Sequence, residues 1–419
     1  MIRILIYILV GAVVSGYFFS FGFTFLPPGI NTKMILAVIG MPMAAFHAIR
    51  NRSLNIDKGL LGAIGLALLF SLVCFYAVDY NNKADYAYAT YFVSFFVWLF
   101  SAYTVCALIH AVHGAINIRL LTTYLALVCT AQCFLALLID NVPTIQHYVD
   151  LYIDQGQAFL TEVNRLYGIG AALDPAGVRF SITLLLIAAV LMKDNEVRNS
   201  KRYIASLWLC FFITLVVGNM ISRTTLVGAI LAALYLLWYS GLGKLQIRYG
   251  NPKMYSTFAL IFIALLALTV YLYNTNDVFH SHLRFAFEGF FNWAETGEWR
   301  TDSTDKLDRE MWVWPTDTKS WIIGTGLFDN WVYSTDIGYC RFILYCGLTG
   351  FSVFALFFVY HAQVFAQRYR EYNTLFIAFL LLTFIIWIKV ATDILLIYAL
   401  FYCMNYFQER KENEAQLIA

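Results

Sequence analysis

The sequence predicts an all-α polytopic membrane protein in which residues 1–419 form a single integral membrane domain, and three observations carry that expectation. Only 13% of the residues are charged, where a soluble domain carries about 25%. Apolar residues make up 61% of the chain, and mean hydropathy is +0.67. Twelve apolar runs also approach the roughly 20 residues that cross a hydrocarbon core, shorter runs being tolerated.

The runs lie at 4–21, 34–49, 59–78, 88–112, 120–139, 179–192, 203–220, 223–240, 254–273, 338–361, 373–390 and 393–407. They predict about twelve transmembrane helices, with eleven as the lower count. The first, "MIRILIYILVGAVVSGYFF", has no small-residue cleavage site after it and reads as a spanning helix rather than a signal peptide. Basic residues of short loops stay cytoplasmic. They cluster in every second connection: Arg50, Arg52 and Lys58; Arg119; Lys193, Arg198, Lys201 and Arg202; Lys244, Arg248 and Lys253; Arg368 and Arg370. The connections between them, such as "VDYNNKADYA" and "IDNVPTIQHYVDLYIDQ", are acidic or neutral. Both termini are therefore expected in the cytoplasm.

Several function classes lose support. A net charge of +2 from 28 bases and 26 acids leaves no basic surface for nucleic acid. The eight cysteines fall in or beside predicted helices without metal spacing, so neither disulfides nor a metal centre is expected. Neither an H-E-x-x-H helix nor a P-loop occurs, and no cofactor is implied. The acidic "TDSTD" at Thr301–Asp305 reads as a solvated loop face before it reads as a metal site.

Two outward segments, 140–178 and 274–337, are far longer than the usual 2–8-residue helix connection. The first contains "NRLYGIGAALDPAGVRFS", whose glycines and Pro175 are expected to break any helix, leaving Arg165, Asp174 and Arg179 near the outer surface. The second holds six of the ten tryptophans: Trp293, Trp299, Trp312, Trp314, Trp321 and Trp331. Tryptophan anchors proteins at bilayer edges, and its flat face also suits the C–H faces of sugars.

Cations on this side run against the cytoplasmic bias. Arg223 lies in "GNMISRTTLVG" between two runs, and Arg165, Arg179, Arg284, Arg300, Arg341 and Lys389 share the outer side. Charge at membrane depth normally faces a cavity or a partner. Lys389 and Asp393 also suit a structural i,i+4 helix pair. An arginine fork at this depth suits the phosphate of a lipid-linked substrate.

"SRTTLVG", "RLYGIGAALDPAG" and "IIGTG" followed by "STDIGYCRFILYCGLTGF" together resemble the O-antigen polymerase and O-antigen ligase superfamily, over roughly Arg165–Phe351. The resemblance implies a fold like the GT-C-type glycosyltransferases in the bacterial inner membrane, with undecaprenyl pyrophosphate-linked oligosaccharide as substrate. A chain-length regulator is a further partner compatible with it. It assigns pyrophosphate contact to Arg223 first, then to Arg179 or Arg165. Ligases of the superfamily carry a histidine three residues before the tyrosine of H-N-x-Y-L. Asp336 stands at that place before Tyr339, which points to a polymerase rather than a ligase.

The expected chemistry needs no ATP, because the polyprenyl pyrophosphate is itself a leaving group. Arg223 and Arg179 would stabilise its developing charge, and Asp336 would accept the proton of the incoming hydroxyl. Arg165, Asp174, Arg284, Arg300, Tyr339, Arg341 and Lys389 complete the candidate substrate-binding set. Asp336 also suits the cap of the following helix, a role that does not exclude the other; were Asp336 not the base, Asp174, Glu288 and His282 are the next candidates. A ligase or another lipid-linked glycan transferase, and a polytopic transporter or flippase, are the alternative functions.

Overall fold

In the computed structural model the structure describes residues 2–51, 57–162, 165–240, 252–328 and 332–418. Arg52, Lys244, Arg248 and Trp331 lie outside the described residues. Each of the twelve apolar runs is a helix. Eight are long and apolar enough to cross a membrane: Thr32–Asn51, Lys58–Tyr80, Tyr91–His113, Ile118–Asn141, Leu173–Lys193, Lys201–Ile221, Pro252–Thr275 and Gly338–Arg368. Ile2–Phe18, Thr225–Ser240 and Asn373–Ile386 are shorter, and Leu395–Ile418 carries charged residues over its second half. Sheet among the described residues is one antiparallel pair, Gly22–Phe23 with Ile153–Asp154. All eight cysteines are buried and unbridged.

Two expectations about boundaries are corrected. Pro175 does not break a helix: Leu173–Lys193 begins before it, and Pro175 stands in the first turn, where its missing N–H has no intrahelical acceptor to lose. The 373–390 run stops at Ile386, and residues 387–394 are turn and extended chain before Leu395. The long outward segments are not loops throughout. The first contains Pro143–Tyr152 and Gln157–Glu162, and the second Asp277–Ala286, Glu288–Thr296, Asp302–Glu310 and Thr318–Ile322.

The chain divides into two compact units, Met1–Ile35 with Val105–Gly297 and Leu36–Thr104 with Glu298–Ala419. In the first unit the core is the helix Leu173–Lys193, buried almost without interruption from Ala176 to Leu191. It packs against Thr225–Ser240, Lys201–Ile221 and Ile118–Asn141. Close approach is allowed by small residues: Gly228 lies against the Ser181 backbone, and Ser181 Oγ accepts from Gly228 N at 3.2 Å while donating to Thr224 O at 2.9 Å. Small residues at helix contacts are the usual device where lipid supplies no hydrophobic drive between helices.

The second unit is built on Gly338–Arg368, which packs against Lys58–Tyr80 and Asn373–Ile386. Gly347 (φ 64°, ψ −178°) kinks it. A kink strands carbonyls in the preceding turn, and the "IIGTG" loop serves them. Thr325 N donates to Leu344 O at 2.7 Å, Thr325 Oγ1 to the same oxygen at 2.9 Å, and Gly326 N to Tyr345 O at 3.0 Å. That part of the motif is a structural plug, as buried backbone polar groups require. Asn81 Nδ2 ties the loop down through Gly324 O at 3.1 Å. Phe70, Tyr88, Phe342, Phe354 and Trp387 form an aromatic core in the same unit.

Candidate functional site

The turn carrying Arg223 is set by the residues on each side of it. The helix Lys201–Ile221 ends at Ser222, whose extended backbone (φ −153°, ψ 125°) turns the chain before Thr225 starts the next helix. Ser222 Oγ and Thr224 Oγ1 both donate to Asp174 Oδ1, at 3.0 and 2.6 Å, and Thr225 Oγ1 bonds back to Gly218 O at 3.0 Å. Gly177, one turn along from Asp174, permits the contact: a Cβ there would lie 2.5 Å from Ser222 Oγ and 2.8 Å from Thr224 Cβ. The serine and threonines of "SRTT" thus hold the turn, and the arginine between them projects.

Its guanidinium meets Glu288 and the Phe285 ring. Arg223 Nη2 lies 2.6 Å from Glu288 Oε2, with both side chains about four-fifths buried. Its Cζ is 4.0 Å from the centroid of Phe285, and Arg165 Cζ is also 4.0 Å from that centroid. Both guanidiniums therefore pack against one ring, and the two Cζ atoms stand at most twice that distance apart. Each gains from the ring quadrupole. Burial first, and then the Arg223 charge, push the Arg165 guanidinium down from its ordinary value, against the opposing pull of Asp174 and Glu288. Arg165 also lines a small pocket of about 70 Å³ with Asp140, Gln146 and Tyr167. Tyr167 donates to Asp150 Oδ1 at 2.9 Å, and burial pushes its hydroxyl up to about 12.

Asp277–Ala286 brings Phe285 to this place. Asn219 Nδ2 donates to Ala286 O at 2.7 Å, fixing the end of that helix to Lys201–Ile221, and the next helix begins at Glu288. His282 Nε2 is 3.3 Å from Asp140 Oδ2. Arg179 lies within Leu173–Lys193 with its Cζ 5.9 Å from the Phe19 centroid. Arg284 points elsewhere, to Glu295 at 2.8 Å on an exposed surface. The first unit therefore brings together Arg165, Arg223, Asp174 and Glu288, with Phe285 as the piece that sequence reasoning missed.

In the second unit Tyr339 and Arg341 are tied to backbone. Asp336 is half-buried in non-helical chain and does not cap the following helix. The N-cap is Ile337, which makes no side-chain cap bond. Thr335 displaces the expected cap by donating to Met311 O at 2.5 Å and accepting from Ile337 N at 3.2 Å. Tyr339 donates its hydroxyl to Phe384 O at 2.9 Å, and Arg341 donates to Phe328 O at 2.8 Å with its Cζ 4.1 Å over the Phe328 ring. Lys389 and Asp393 do not lie on one helix, because 390–394 are not helical. Asp393 accepts from Tyr91 Oη at 3.2 Å and from Leu395 N at 2.9 Å. Gly338 packs on this break, where a Cβ would lie 2.7 Å from Val390 O. Arg300 is exposed and bridges Glu298 at 3.2 Å and Asp305 at 3.1 Å. "TDSTD" is a solvated first helical turn capped by Thr301 rather than a loop.

Chemically, Arg165 and Arg223 offer two forks gathered on one ring, a geometry suited to a ligand with more than one anionic group. Comparison with protein-family models, with curated proteins and with solved structures finds no match.

Proposed function

We propose that this chain is a glycosyltransferase that polymerises undecaprenyl pyrophosphate-linked oligosaccharide repeat units into O-antigen or a related surface polysaccharide. In this reading it works at the periplasmic face of the bacterial inner membrane, with about twelve spans and both termini cytoplasmic. The observation that carries the reading is the convergence of Arg165 and Arg223 on the Phe285 ring, beside the turn whose sequence resembles the polymerases. The two arginines grip the pyrophosphate, and Arg179 adds positive charge from the neighbouring helix. The acceptor hydroxyl oxygen bonds to the anomeric carbon as the bond to the pyrophosphate oxygen breaks. The electron pair leaves on the pyrophosphate, where the guanidiniums stabilise it, and a carboxylate takes the hydroxyl proton; Asp336 is the candidate that the sequence resemblance names for that role.

The test is to incubate purified protein with a lipid-linked repeat unit and resolve the products on a gel. A ladder of lengths supports polymerisation, and a single new band means a ligase or another lipid-linked transferase. The break at 387–394 and the kink at Gly347 favour one second reading, a transporter or flippase, since interrupted helices are a transporter device. That reading requires labelled lipid to cross a proteoliposome membrane with no new product.

A further inference from the structure

Residues 311–315 form a strap, turned at Trp312 by a bond of 3.0 Å from Val313 N to Met311 O, along which burial alternates. Met311 and Pro315 are buried and Val313 is half-buried, whereas Trp312 and Trp314 are 40% and 39% exposed. Met311 anchors the strap in a cluster with Ile337, Cys340 and Leu344. The outward rings are stacked: Trp312 on Trp314 at 5.7 Å between centroids and 29°, and Trp314 on Trp321 at 5.8 Å and 15°. Centroids that far apart belong to offset stacking, which leaves part of each indole face uncovered. The result is a three-ring ladder whose step is comparable to the length of one pyranose unit.

Bilayer anchoring is the ordinary explanation for outward tryptophans, and the local charge opposes it. Residues 302–317 carry five carboxylates against Lys306 and Arg309. Lys319, just beyond, lies over the Tyr80 ring at 4.9 Å. Segments that settle on anionic lipid are basic, and this one is acidic. Exposed hydroxyls of Thr316 and Thr318 flank the ladder. Indole faces beside hydroxyls and carboxylates match the C–H faces and the hydroxyl edges of a sugar chain.

We propose that Trp312, Trp314 and Trp321 form an oligosaccharide-binding track for an uncharged run of pyranose rings, several sugars long. The choice of ligand rests on the glycan-polymerising reading above. Binding here is non-covalent and is measured without turnover.

The experiment uses the full chain in nanodiscs, titrated calorimetrically with maltoheptaose and chitohexaose as neutral probes. Wild type is expected to bind at least one of them, and the Trp312→Ala/Trp314→Ala double variant about tenfold or more weakly. Equal affinity in the two proteins, or no binding of either probe to wild type, overturns the track. A second measurement needs no truncation: brominated phospholipid should quench a smaller fraction of the emission of wild type than of Trp312→Phe/Trp314→Phe, because the two rings add emission that lipid does not reach. Stronger quenching in wild type places the rings in lipid and overturns the track as well. Failure of the polymerising reading is told apart by the gel assay, in which wild type would then make no ladder whatever the calorimeter shows.

Discussion

The two candidate regions use the same residue types in opposite ways. At the Ser222–Thr224 turn the backbone is held by hydroxyls on Asp174, so the arginine between them is left to meet a carboxylate and a ring. At the start of Gly338–Arg368 the polar side chains serve the backbone: Tyr339 and Arg341 both donate to carbonyls, and Asp393 accepts from a main-chain N–H. An arginine paired with a carboxylate can exchange that partner for phosphate at modest cost, because one anion replaces another. An arginine that satisfies a buried carbonyl leaves an orphan acceptor when it moves, costing about 1–3 kcal/mol. The first arrangement suits ligand exchange and the second suits support. Both regions carry a bulky or polar residue in the left-handed region just upstream of the carboxylate, Leu173 (φ 52°) before Asp174 and Ser334 (φ 51°) before Asp336. Each conformation costs of order 1–3 kcal/mol, so the surrounding contacts must over-determine both.

The largest expected effect sets Arg223 against Arg341. Arg223→Lys keeps the charge and loses the fork, and glycan extension should fall by about 10²-fold or more while the protein still inserts. Arg341→Lys keeps a donor for the Phe328 carbonyl and should lose much less. Extension rates of the two variants at equal membrane abundance make the comparison, and near-normal ladders from Arg223→Lys would reduce that residue to a structural anchor.

Asp336→Asn comes next. Since Ile337 rather than Asp336 caps the helix, the substitution removes no cap. A loss of about 10²-fold in extension, with donor binding retained, is then the signature of a lost proton acceptor. Wild-type ladders from this variant would eliminate Asp336 as base and pass the role to Glu288, Asp174 or His282. Of these, Asp174 is the weakest replacement, because its Oδ1 already accepts two hydroxyls.

A smaller effect separates support from chemistry within the second unit. Gly347→Ala places a side chain at φ 64° and against the Ile322 carbonyl. The variant should lose about 1–3 kcal/mol of stability, seen as a lower melting temperature in detergent, with the extension rate of the surviving folded fraction little changed. An unaltered melting temperature would mean that the kink relaxes without cost.

Much of the helical architecture was legible, because apolar runs report burial in lipid or core directly: all twelve became helices. Their ends were less so. Pro175 reads as a breaker, yet it sits where a helix tolerates it, and the apolar stretch through Trp387 and Ile388 conceals a break that Gly338 packs against. Arg165 and Arg223 stood out as cations on the wrong side of the basic bias. Phe285 did not, because its role depends on two residues distant in sequence arriving at its ring, and no local pattern encodes that. Asp336 looked like a cap because local preference favours aspartate there, and the long-range bond from Thr335 to Met311 prevailed.

The smallest expected effect is on metal dependence. Extension should persist in a chelator, because the two guanidiniums on Phe285 supply the positive charge that the departing pyrophosphate needs. The acidic cluster that could hold a divalent ion is already engaged. Asp305 bonds to Arg300 and to Arg309, at 3.1 and 3.3 Å, and Thr301 turns the segment into a helix start whose dipole favours its carboxylates without a cation. Among the described residues no three of His, Cys, Asp and Glu converge as ligands. The measurement compares extension rates with and without chelator, then after magnesium or manganese is restored. Equal rates agree with arginine carrying the charge. Loss in chelator with recovery on either ion would return Asp302 and Asp305 to the site, and would show that an ion outcompetes Arg300 for the carboxylate of Asp305.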